Sequence, residues 1–114
     1  MARAGRGLTA TLAAFAVCVA CSEAKAENVL RVAIEKFAFD PQTIAARVGD
    51  RIVFVNRDEL PHSVVGLRGE EEVFRSVEQM DTDDSFEVVI DGPGDIAIVC
   101  GLHASMTGNI LVGR

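Results

Sequence analysis

The sequence predicts an all-β fold, a single sandwich of short strands. Three observations carry this reading. Apolar residues alternate at period two in several short runs, turn signals separate those runs, and no stretch shows a convincing helical period. Beyond residue 26 the chain has 88 residues, enough for one small domain but not two.

Taken in order, residues 29–35 alternate, with Leu30, Val32 and Ile34 on one face and Arg31, Ala33 and Glu35 on the other. Phe39 to Val48 supplies a second extended segment, and Gly49-Asp50 turns the chain into Arg51 to Asn56. Ser63 to Leu67 forms the next run, whereas residues 73–78 fit no single pattern. Ser85 to Asp91 alternates again and groups Phe86, Val88 and Ile90. Ile96, Ile98 and Cys100 share parity, so the thiol points the same way as two apolar side chains. Asn109 to Gly113 closes the domain and leaves residues 100–106 as a loop between the last two strands, at one end of the sandwich.

The first residues read as an address rather than as fold. Arg3 and Arg6 make a positive n-region, and Leu8 to Ala20 an apolar h-region too short to span a bilayer comfortably. Ala24-Lys25-Ala26 is a small-x-small cleavage site. Residues 1–26 are therefore expected to be a signal peptide and residues 27–114 the mature, soluble, periplasmic domain. A lipid anchor at Cys21 is the weaker alternative, because Cys18 stands where such a box usually carries Leu. Cleavage removes Cys18 and Cys21 and leaves Cys100 alone, so no internal disulfide can form. A lone thiol in an oxidising compartment needs a reason, and metal ligation supplies one. The full chain carries a net charge of −6; loss of Arg3, Arg6, Lys25 and Glu23 takes it to −8. That acidity argues against nucleic acid, which is bound through Lys and Arg at phosphates.

Cys100-Gly101-Leu102-His103-Ala104-Ser105-Met106 is the most informative motif. A thiol, an imidazole and a thioether at i, i+3 and i+6 suit a tight loop better than a helix, where i+6 drifts off the shared face. The only other histidine, His62, lies 38 positions before Cys100. Two imidazoles, a thiolate and a weak axial thioether are the donor set of a blue-copper site, and zinc has little use for the thioether. Each residue has an ordinary structural use taken singly, Cys100 as a small buried hydrophobe and Met106 as a gap-filler. Together they point to one copper per chain.

The segment Asn56-Arg57-Asp58-Glu59-Leu60-Pro61-His62-Ser63-Val64 resembles the strand end and loop that deliver the first histidine ligand in the amicyanin-type cupredoxins. Cys100 to Met106, running into Thr107-Gly108-Asn109-Ile110-Leu111-Val112, is similar to their short ligand loop and last strand, and Asp91-Gly92-Pro93-Gly94 to the turn before the cysteine strand. The likeness extends from about Leu30 onward. It implies a cupredoxin-like Greek-key β-sandwich, with His62, Cys100 and His103 as strong equatorial ligands and Met106 as the axial one. It also implies that Asn56 ties the first-histidine loop to the cysteine loop. The chain departs from the pattern at Gly101, where a hydroxyl residue is usual, at Leu102 and Ala104, where prolines stand, and at Ile96 and Ile98, where aromatics are common.

These observations predict a one-electron carrier between redox protein partners, a donor and an acceptor, with His103 as the solvent-edge ligand. Leu60, Pro61, Leu102 and Ala104 are candidates for an apolar docking ring around it. Catalysis is not expected, since no nucleophile set, phosphate loop or second metal cluster is visible. Stable membrane insertion is not expected either, and the chain is expected to be monomeric. A periplasmic copper carrier or delivery protein with the same ligands is the alternative, and copper transfer to an apo-acceptor rather than fast redox cycling would mark it. A metal-free interaction domain is the third reading.

Overall fold

The computed structural model describes residues 28–113; the expected signal peptide, with Cys18 and Cys21, lies outside them. Nine strands form two sheets, and no helix occurs among the described residues. The strands are β1 (Val29–Glu35), β2 (Ala38–Asp40), β3 (Thr43–Arg47), β4 (Arg51–Asn56), β5 (Val65–Arg68), β6 (Glu71–Arg75), β7 (Ser85–Val89), β8 (Ile96–Val99) and β9 (Thr107–Gly113). One sheet runs in the order β2-β1-β4-β7 and the other β3-β9-β8-β5-β6. Two pairs are parallel, β1 with β4 and β3 with β9, and the others are antiparallel.

Alternation decides which faces meet. Val32 and Ile34 of β1 and Ile52 and Phe54 of β4 are fully buried, facing Ile96 and Ile98 of β8 and Ile110 of β9. The expected inward sets are therefore the observed ones, Cys100 included at 2% exposure. Phe54, Phe74 and Phe86 add an aromatic cluster with centroids 6.0–6.3 Å apart, joining β4 and β7 of one sheet to β6 of the other. Such pairs contribute about 0.5–1.5 kcal/mol each beyond the area they bury.

The sequence reading needs correction in one strand. Phe39 to Val48 is two strands, because Pro41 lacks the N–H needed to continue a ladder. β2 stays beside β1, and after Pro41 the chain crosses to the opposite sheet as β3 beside β9. Of the ambiguous stretch 73–78, residues 73–75 belong to β6, an edge strand with Glu71, Glu72 and Arg75 exposed, and residues 76–78 follow it. The run starting at Ser63 enters its sheet only at Val65. Before that, His62 pairs with Met80 through backbone bonds of 3.2 and 2.8 Å, and Val64 N–H donates to Ser76 Oγ at 2.9 Å.

Gly66 of β5 lies directly across from Phe74 of β6, and a Cβ there would run into the phenyl ring. The ring is seated on bare backbone in the strand that follows the His62 loop. We expect Gly66→Ala to lower unfolding stability in urea by about 1–3 kcal/mol through overpacking. The double change Gly66→Ala with Phe74→Leu should recover part of that loss; a neutral single variant would show that the ring is not held there.

Candidate metal centre

Three donor side chains converge at one end of the sandwich. Cys100 follows β8, His103 lies in the loop before β9, and His62 lies in the loop between β4 and β5. The Cys100 Sγ is 3.7 Å from His62 Nδ1 and 3.8 Å from His103 Nδ1, and the three donor atoms all lie within 4.8 Å of one another. A sulfur at ~2.3 Å and a nitrogen at ~2.0 Å from a shared trigonal centre are about 3.7 Å apart, so the spacing fits a metal. His62 is fully buried, Cys100 nearly so, and His103 half-buried.

The loop closes on itself through backbone. Cys100 N–H donates to Met106 O at 3.1 Å, and Met106 N–H to His103 O at 2.9 Å. Met106 is 2% exposed, its backbone hydrogen-bonded to that of Cys100. All four sequence-predicted ligands thus belong to one end of the fold. The compact loop, rather than a helix, matches the expectation from their spacing.

His62 is oriented from behind. Its Nε2 is 2.7 Å from Asp58 Oδ2, so Nε2–H donates to the carboxylate and the Nδ1 lone pair is left toward the sulfur. Burial pushes the Asp58 carboxyl up, but N–H bonds from Phe37 and Lys36, together with His62, outweigh it and hold the group below its ordinary range. The pair is a carboxylate–histidine unit of the kind that fixes a ligand's tautomer and ring plane.

Asn56 does not do what the resemblance implies. Its Nδ2 donates to Leu60 O at 3.0 Å and Met80 O at 2.8 Å, and its Oδ1 accepts from Asp58 N–H at 2.9 Å. It shapes the His62 loop and pins it to Met80. The tie to the cysteine loop runs through Ser63, whose Oγ accepts from Gly101 N–H at 2.8 Å and whose own N–H points at Cys100 Sγ at 3.4 Å. This also accounts for Gly101, because a Cβ there would stand 2.8 Å from the same Oγ. The N–H at the sulfur therefore comes from Ser63.

Sequence reasoning also missed Phe37. Its ring stands nearly perpendicular to both histidines, with centroids 5.4 Å from His62 and 5.2 Å from His103. Only pairing across a hairpin from β1 to β2 brings it there, and Lys36-Phe37 lacks the Asn-Gly signature that marks such a turn.

Because Asp58 sets the ring plane and tautomer of His62, we expect Asp58→Asn to weaken metal binding by about 10–100-fold. Competition against a chelator measures it, and unchanged affinity would remove Asp58 from the site.

Comparison with known proteins agrees with this fold. The cupredoxin-like domain family matches residues 8–112. The amicyanin of Paracoccus versutus is 28% identical over 96 residues, covering 82% of this chain and 71% of that protein. Among solved structures, a Cu(I) form of an amicyanin variant superposes with a TM-score of 0.67 at 22% identity, covering 75% of this chain and 82% of the other. A Cu-containing nitrite reductase from Thermus scotoductus SA-01 gives the same TM-score at 23% identity over 75% of this chain but only 22% of its own. With its two-sheet sandwich and a family match spanning most of its length, the chain belongs to the cupredoxin-like domain family.

Proposed function

We propose that this chain is an exported type 1 copper protein that carries single electrons between periplasmic redox partners. One observation carries the reading: two imidazole Nδ1 atoms lie 3.7 and 3.8 Å from one buried thiol sulfur in a cupredoxin-like sandwich. His62, Cys100 and His103 would hold the copper, with the Met106 thioether as a further, weak donor. The ion supplies the one-electron Cu(II)/Cu(I) couple. That the relatives include an amicyanin and Cu(I) forms of amicyanin variants supports the choice of metal.

The protein's own residues supply rigidity and access. Cys100 is the soft ligand that couples the metal to the strand, and the Ser63 N–H at its sulfur stabilises thiolate charge and so tunes the potential. His103, half-buried at the rim, is the path by which an electron leaves. Leu60 at 50% and Leu102 at 42% exposure are open members of the apolar docking ring, which Pro61 and Ala104 complete. Four protein donors leave no position for a substrate, so the reading is electron carriage rather than catalysis.

Addition of Cu(II) to the mature protein should give one bound copper and an intense visible thiolate band, and Cys100→Ser should abolish that band. A folded protein that takes zinc but shows no band with Cu(II) would refute the reading. Protein must be quantified by amino-acid analysis or backbone absorbance, since the chain has no Trp or Tyr.

Export is tested separately. The Ala24-Lys25-Ala26 site predicts a native form beginning at Glu27, to be read by intact mass. A chain that keeps residues 1–26, or carries lipid on Cys21, contradicts this part of the proposal.

A further inference from the structure

The turn between β1 and β2 is unusual in two respects that the copper site by itself does not require. Lys36 and Phe37 have φ of +53° and +56°, so two consecutive side-chain-bearing residues occupy the left-handed region. Hairpins with that pattern favour Asn-Gly or other glycine pairs, and side-chain-bearing residues there persist only when their surroundings impose the conformation. The ring that this turn carries is also 49% exposed. A glycine at 37 would relieve both strain and exposure.

What imposes the conformation is Asp58. Its carboxylate accepts from Lys36 N–H at 2.6 Å and from Phe37 N–H at 3.0 Å, and its Oδ2 also takes His62 Nε2. Asp58 is fixed in turn, since its N–H donates to Asn56 Oδ1 and its carbonyl accepts from Thr82 Oγ1 at 2.6 Å. One carboxylate therefore links a strained turn to a buried ligand. The turn holds Phe37 nearly perpendicular to His62 and His103, at 86° and 90°, while the two imidazoles lie 5.0 Å from each other. The three rings form a triangle.

The two histidines are held differently. His62 has Asp58 on its distal nitrogen. Among the described residues, no group hydrogen-bonds His103 Nε2, so the orientation of that ring rests on the loop backbone, on Cys100 Sγ at Nδ1, on His62 and on the perpendicular Phe37 ring. Aromatic edge contacts are directional and resist rotation of the partner ring.

We propose that Phe37, presented by the Asp58-held turn, is a positioning residue that fixes the ring plane of His103 against His62. Electron transfer then proceeds with little rearrangement of the ligands. The inference rests on the copper reading for its consequence but not for its geometry. In the redox step one electron arrives from a reduced redox protein and one leaves to an oxidised one, with no bond made or broken by Phe37.

The test compares Phe37→Leu, which keeps apolar bulk without a ring, with Phe37→Tyr, which keeps the ring. In metal-free wild-type protein the His103 ring resonances should form one set displaced by the Phe37 ring current. Phe37→Leu should lose that displacement and broaden, and Phe37→Tyr should restore it. In the copper-loaded protein, Phe37→Leu should slow electron self-exchange about tenfold, the rate equivalent of one lost aromatic contact, with the thiolate band retained. Phe37→Tyr should again recover the wild-type rate. A Phe37→Leu protein with unaltered His103 resonances, or with self-exchange within twofold of wild type, overturns the proposal. If the wild-type chain gives no thiolate band, the copper reading fails, and the metal-free resonances alone decide whether Phe37 orders His103.

Discussion

The pairing of β5 with β8 is the constraint on which the rest of this structure depends. Val65 lies opposite Val99, and the candidate ligands sit just beyond that pair, His62 three residues before Val65 and Cys100 one residue after Val99. The register brings two segments 38 residues apart to within bonding reach of one metal. A slip of one residue would turn Cys100 out of the core, together with Ile96 and Ile98. The apolar core holds that register, so the packing of Ile96 and Ile98 against β1 and β4 is at once a stability term and a ligand-positioning term.

The end of the sandwich that carries the site is also where polar groups enter the apolar interior. Asn56, His62 and Ser63 are all nearly or fully buried, and each is satisfied by specific partners. An unsatisfied buried donor or acceptor costs about 1–3 kcal/mol, so these bonds do more than tidy a loop. They give the His62 loop one low-energy arrangement. Ser63 shows the economy of the design, with its hydroxyl fixing the Cys100 loop while its N–H faces the sulfur.

Much of this was legible in the sequence, and the remainder was not for identifiable reasons. Alternation in residues 29–35 and at Ile96, Ile98 and Cys100 places the core, because strand periodicity is local. The donor types His, Cys, His and Met restrict the chemistry without any fold. The strand break at Pro41 was visible as a proline but not as a change of sheet, since pairing partners are non-local. Asp58 and Ser63 lay in the quoted histidine segment with no role assigned to either. A carboxylate four residues before a histidine carries no geometry until the loop closes. The resemblance had Asn56 tie the first-histidine loop to the cysteine loop; its bonds go to Leu60, Asp58 and Met80 instead, and Ser63, in the space a side chain at Gly101 would need, makes the tie. Phe37 gave no signal at all, standing 25 residues before His62 in a turn without turn chemistry.

The two imidazoles illustrate how one fold makes chemically alike groups serve different ends. His62 is fully buried, bonded through Nε2 to Asp58 and bridged by backbone to Met80. Its ring and its backbone are both held by hydrogen bonds in a part of the fold from which water is excluded. His103 has to reach the surface, and a hydrogen-bonded clamp there would compete with solvent. An aromatic edge does not, because its contact strengthens as water is displaced from the apolar face. A ring contact of the kind Phe37 makes thus suits an imidazole at the rim, just as the Asp58 carboxylate suits one in the interior. Since Asp58 also holds the turn that carries Phe37, one carboxylate bonds the buried imidazole directly and, through that turn, places a ring beside the half-buried one.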